Sequence, residues 1–201
     1  MQAERAGAPD GGTERAGTVW GSLQWWPTLA GVGFAAFVAI DMFRGRERGD
    51  DLAPIVAASG LVYLGAAALR RPSTAWPVFF LSVVVITAAK IGLTDFDATW
   101  ALLALAGLFV GYSLLRGATR PTGRLPLQTI AMVVCGAAAA VALSVDQVVG
   151  AYLVAAGLLA HAAWDAYHHR INKVVVRSMA EFCFVLDVLL ALAIVIVTLR
   201  G

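Results

Sequence analysis

Charge is scarce in this chain. Only 14% of its 201 residues are Asp, Glu, Lys or Arg, against about a quarter in an ordinary soluble domain. With 60% apolar residues, a water-soluble fold of this size could not hide its apolar surface, and lipid must solvate much of it. The basic residues are too few and too scattered, at a net charge of +2, for the dense cationic face that nucleic acid demands, which excludes that class of partner. Cysteine occurs twice, at Cys135 and Cys183, each inside its own apolar run, so no disulfide framework follows and both read as small core thiols. Lysine is nearly absent, 2 against 13 Arg, a bias that reads as a GC-rich bacterial coding sequence. The compact catalytic signatures are missing as well: no His-Glu-x-x-His, Cys-x-x-Cys, Gly-x-Ser-x-Gly, Walker or Gly-x-Gly-x-x-Gly pattern stands in the context it needs.

What is present is a series of apolar runs. Residues 1–24 are rich in Gly, Ala, Glu and Arg, lack the apolar core of a signal peptide and read as a disordered cytoplasmic tail. Trp25-Trp26-Pro27 then sets paired aromatics at a membrane interface, with proline in a first helical turn where its missing N–H costs nothing. From there residues 25–201 read as one transmembrane helical domain. Apolar stretches at about 27–43, 52–69, 75–93, 98–115, 126–144, 147–167 and 178–199 are each close to the roughly 20 residues a helix needs to span hydrocarbon. The expected fold is all-α: a polytopic membrane protein of about seven helices in antiparallel hairpins.

Basic residues set the expected orientation. Ten fall on one side, from Arg5 and Arg15 through Arg70, Arg71, Arg116, Arg120 and Arg124 to Arg170, Lys173 and Arg177, while Arg44, Arg46, Arg48 and Arg200 make four on the other. The positive-inside rule places the N-terminus in the cytoplasm and the C-terminus outside. A weak repeat runs through the spans: glycines Gly60, Gly107 and Gly157 each open a stretch that ends in a basic residue, implying three hairpins after one leading helix. The third copy differs from the others, with His161 where they have Leu64 and Gly111, and Asp165 where they have Ala68 and Leu115.

That third copy holds all three histidines of the chain, His161, His168 and His169. Ionisable groups inside a bilayer are costly and are read first as functional. On a helix His161, Asp165 and His168 share one face at i, i+4 and i+7. A returning helix brings Glu181 to the depth of Asp165 and carries Asp187, flanked by Leu186 and Val188, towards mid-membrane. A metal site would take His161 and His168 with Asp165 or Glu181, a mixed set that suits a divalent ion such as zinc or iron. A metal-free site would pair Asp187 or Glu181, as proton donor, with His161 and Asp165. In both cases Trp164 and Tyr167 would line the substrate pocket, Trp164 offering a ring face to a cationic species. The plainer alternative makes His168, His169 and Arg170 a basic helix end, with Asp165 paired to Arg170 or His161 and Glu181 to Arg177. Nearer the other side, an Asp41–Lys90 ion pair is expected to staple two helices, and Gly107-x-x-x-Gly111 to admit a close helix contact.

In size, span pattern and reliance on a buried acid, Asp187 in the last helix, the chain resembles the small seven-helix integral membrane terpene cyclases. That resemblance implies a membrane-embedded enzyme in which a buried acid protonates an isoprenoid. The chain departs from the family at residues 52–93, which contain no Glu where the family uses one. Two further classes fit the composition: a proton- or cation-coupled carrier relaying charge through Asp187, Glu181 and His161, and a non-catalytic subunit whose basic end meets a protein partner or lipid headgroups.

Overall fold

The computed structural model describes residues 25–93, 97–116 and 124–200; the expected tail at 1–24 lies outside them. Seven helices are found among the described residues: α1 Trp26–Phe43, α2 Ala53–Ala68, α3 Ala75–Lys90, α4 Ala98–Leu115, α5 Arg124–Ala142, α6 Gln147–Ile171 and α7 Arg177–Arg200. Counting the 3₁₀ turns Asp50–Leu52 and Pro72–Thr74 that lead into α2 and α3, all seven are long and apolar enough to cross a membrane. By length and composition this is a multi-pass membrane protein. Capping chemistry sets several boundaries. The side chains of Asp97 and Asp146 accept the backbone N–H of Thr99 and Val148 at 2.7 and 2.9 Å and so start α4 and α6. At the other end of a helix, Gly45 (φ 67°) closes α1 in the left-handed conformation that glycine adopts without strain.

Helix α2 is the axis of the bundle. In its span 83% of the residues are buried, against 17–44% in the others, and it packs on α3, α4, α5 and α6. The remaining helices follow one another around it: α1 against α7, α7 against α6, then α5, α4 and α3 in turn. Trp26 on Trp76 and Phe34 on Phe79 close the circle from α1 to α3. Small residues make the central position tenable. A Cβ on Gly60 would stand about 3.0–3.3 Å from Met132 and Cys135 of α5, so the two backbones approach closely there.

The three expected hairpins do not take equivalent places, since α2 is enclosed while α4 and α6 lie in the outer ring. Gly107 and Gly111 face open space, with no atom within 4 Å of an added Cβ; they mediate no helix contact among the described residues. Helix α6 runs to Ile171, beyond the expected end near 167, and takes His168, His169 and Arg170 into its last turn. The connection to α7 is tight. Asn172 (φ 49°) and Val174 (φ 75°) are both left-handed, a conformation rare for a β-branched residue, and the buried side chains of Val174 and Val175 hold it there. This turn sets α6 and α7 side by side in opposite directions, over the length that carries every candidate site residue except Asp41 and Lys90.

Candidate functional site

Halfway along α6 and α7, where both helices face α2, three ionisable side chains meet. Asp165 and Asp187 are fully buried and His161 retains 5% exposure. His161 Nδ1 lies 2.8 Å from Asp187 Oδ2 and 3.2 Å from Asp165 Oδ2. The central helix supplies a fourth member: the Tyr63 hydroxyl donates to Asp165 Oδ1 at 2.6 Å. Asp187 stands ten residues from Arg177 at the start of α7, about 15 Å along the axis at 1.5 Å per residue, a length equal to half of a roughly 30 Å hydrocarbon layer. Three buried polar atoms of this cluster have no hydrogen-bond partner: His161 Nε2, Asp165 Oδ2 and Asp187 Oδ1. Buried polar groups are seldom left so.

His161 also belongs to the wall of a cavity of about 290 Å³, together with Gly60 and Tyr63 of α2, Ile130 and Val134 of α5, and Trp164 of α6. Its lining is almost wholly apolar. Ile130 and Val134 are more than 60% exposed on the outer face of α5, the surface that lipid would cover, so the cavity opens sideways between α5 and α6. Trp164 lines it as expected. Tyr167 does not: it is 53% exposed and stacks edge-on against His168 at 5.2 Å.

His168 leaves the expected metal set. It is buried, but its ring is fully occupied: Nδ1 donates to the Trp164 carbonyl at 3.0 Å and Nε2 accepts from Gln128 Nε2 at 3.3 Å. Gln128 Oε1 in turn accepts from Trp164 Nε1 at 3.3 Å. The Tyr63 ring stands between the two histidines, 5.3 Å from His161 and 4.9 Å from His168, so they cannot share an ion. The i+7 spacing was right about the face and wrong about the neighbours.

Glu181 leaves the cluster too. Six residues along a helix rotate a side chain by about 600°, which puts Glu181 roughly 120° from Asp187. It accepts a hydrogen bond from the Thr28 hydroxyl of α1 and lines a separate cavity of about 260 Å³ with His169, Arg170 and Phe184. At the far end of the bundle the expected Asp41–Lys90 pair is replaced by two others, because the α1–α2 connection folds its own charges back. Lys90 pairs with Glu47, and Asp41 with Arg46 at 3.5 Å. Trp76 is packed among Trp26, Phe79 and Phe182 and donates to Ser178 Oγ at 3.2 Å.

Sequence reasoning missed Tyr63 and Gln128. Each is the largest hydrogen-bonding side chain of its apolar run, beside Ser59 in the one and Thr129 and Ser144 in the other, which is the signal that was available. No known protein family, curated protein or solved structure matches the chain, so the reading of this site rests on its geometry.

Proposed function

We propose that the chain is a membrane-embedded enzyme acting on a lipid or isoprenoid by proton transfer at His161. One observation carries the reading: His161 Nε2, buried and without a partner, belongs to a residue that walls an apolar cavity rimmed by lipid-facing side chains. An imidazole whose Nδ1 is held by carboxylates is oriented to give or take a proton at its other nitrogen, and the carboxylates stabilise the imidazolium that forms. Asp187 and Asp165 fill that role, with Tyr63 fixing Asp165. The Trp164 ring at the cavity wall offers its face to positive charge developing on the substrate. The resemblance to membrane terpene cyclases bears on Asp187 and supports an isoprenoid among the apolar substrates.

The protein sits in this reading in a bacterial cell membrane with its N-terminus in the cytoplasm, supported by the excess of basic residues on that side. The carrier alternative needs polar groups that continue across the bilayer. Asp41 and Lys90, the candidates for that continuation, are tied to Arg46 and Glu47 instead.

The test is direct. Wild type, His161→Ala and Glu181→Gln are placed in nanodiscs made from a total bacterial lipid extract, and the lipids are profiled by mass spectrometry over time. A species that appears with wild type and Glu181→Gln, and fails to appear with His161→Ala, is the expected result. Identical profiles in all three overturn the proposal and return the chain to the carrier or partner-subunit classes.

A further inference from the structure

The carboxylates at His161 Nδ1 present a problem of valence. One Nδ1–H points at one acceptor, and here it serves Asp187. Asp165 Oδ2, only 3.2 Å from the same nitrogen, is left with no hydrogen-bonded partner in a fully buried position. Two carboxylates face a single imidazole here, so even with the ring protonated the ionised cluster keeps a net negative charge. Among the described residues no Lys or Arg pairs with either carboxylate, since the ion pairs of Arg46, Arg48 and Lys90 all lie in the α1–α2 connection or at its rim. Uncompensated charge of that size is among the costliest things to bury.

We infer that His161, Asp165 and Asp187 bind one divalent transition-metal ion. Their donor atoms all lie within 4.8 Å of one another. The separations of 2.8 and 3.2 Å from Nδ1 to the two carboxylate oxygens are near the roughly 3–3.5 Å expected between ligands that each stand about 2.0–2.2 Å from a shared ion. A +2 ion cancels the charge, satisfies Asp165 Oδ2 and takes the Nδ1 lone pair. One imidazole with two carboxylates suits zinc, iron or manganese in the divalent state and disfavours copper(I), which prefers sulfur. The hydrogen bond from Tyr63 to the far oxygen of Asp165 is the outer contact that ligating carboxylates receive. Three protein ligands leave a fourth position for water or a substrate oxygen. With the ion on Nδ1, the ring proton belongs on Nε2, at the cavity wall. The inference rests on the proposed function and narrows it: with an ion in place of the Nδ1–H no imidazolium forms, and His161 acts by giving up its Nε2 proton, the ion stabilising the ring that remains; its test needs no substrate.

The full-length protein is purified in detergent after growth with added zinc, iron and manganese, and its metal content is measured by elemental mass spectrometry. About one ion per chain is expected in wild type and in Glu181→Gln, falling at least tenfold in His161→Ala/Asp165→Ala and in Asp187→Asn. Stripped wild-type protein reloaded with Co²⁺ should show the visible absorption of a protein-bound four-coordinate ion, a readout that stands even where a variant does not fold. Wild type that holds no metal and gives no Co²⁺ spectrum overturns the inference, as does metal retained by the variants. Lipid conversion by metal-free protein would sink the metal and leave the enzyme standing; stoichiometric metal with no lipid conversion would do the reverse.

Discussion

Two polar networks lie on either side of the Tyr63 ring, and they are built on opposite terms. Around His168 the network is closed: both ring nitrogens, the Gln128 amide and the Trp164 indole N–H are paired with one another or with backbone. Around His161 it is open, with an unpartnered atom on each of its three ionisable members. Both are buried, and both tie α6 to a neighbouring helix. A closed network adds rigidity, and its loss is felt as stability; an open one at mid-span has a cost that only a ligand or a reaction recovers. Burial alone therefore does not mark the site. Unmet valence on three ionisable groups at one point does.

Four substitutions would sharpen or break that contrast. The largest effect belongs to Asp187→Asn, which keeps shape and removes charge: turnover of the lipid species in nanodiscs should fall by about 10²–10⁴-fold, with the helical circular dichroism unchanged. Tyr63→Phe deletes only the hydroxyl bonded to Asp165. We expect about a 10–100-fold loss in metal affinity or activity, read from metal titration and from turnover. His168→Leu strikes the closed network, leaves the Gln128 amide N–H unpaired and should cost about 1–3 kcal/mol, seen as a lower Tm in detergent. Turnover per folded molecule should stay at the wild-type level; a collapse of activity there would erase the distinction between the two networks. The smallest change is expected from Lys90→Ala, since its partly exposed pair with Glu47 is worth about 0–1 kcal/mol and its melting curve should nearly overlay that of wild type.

Much of the helical layout was legible in the residues. The seven runs are bounded by Pro27, by Asp97 and Asp146, and by basic clusters, and the observed ends of α1 and α4 fall within a residue of the expected ones. The identity of the central helix was not legible from hydropathy, because α2 is no more apolar than α1 or α3. What distinguishes it is side-chain size, in the run Ala57-Ala58-Ser59-Gly60 and again at Gly65-Ala66-Ala67-Ala68. For the site, helical spacing grouped His161 with Asp165, and the structure brings Asp187 to the same point. Counting residues without azimuth misled for Glu181, which faces Thr28 and the cavity with His169 and Arg170. Tyr63 lies 102 residues from Asp165, and no local pattern can connect positions so far apart.

The sideways mouth of the cavity between α5 and α6 bears on how the protein would meet its substrate. Under the proposed function, a molecule entering there would not pass through water, and its aqueous solubility would be irrelevant to turnover. The governing quantity would be its mole fraction among the surrounding lipids, with collisions in two dimensions. Diluting the bilayer with inert lipid would then slow the reaction, whereas diluting the sample with buffer would not.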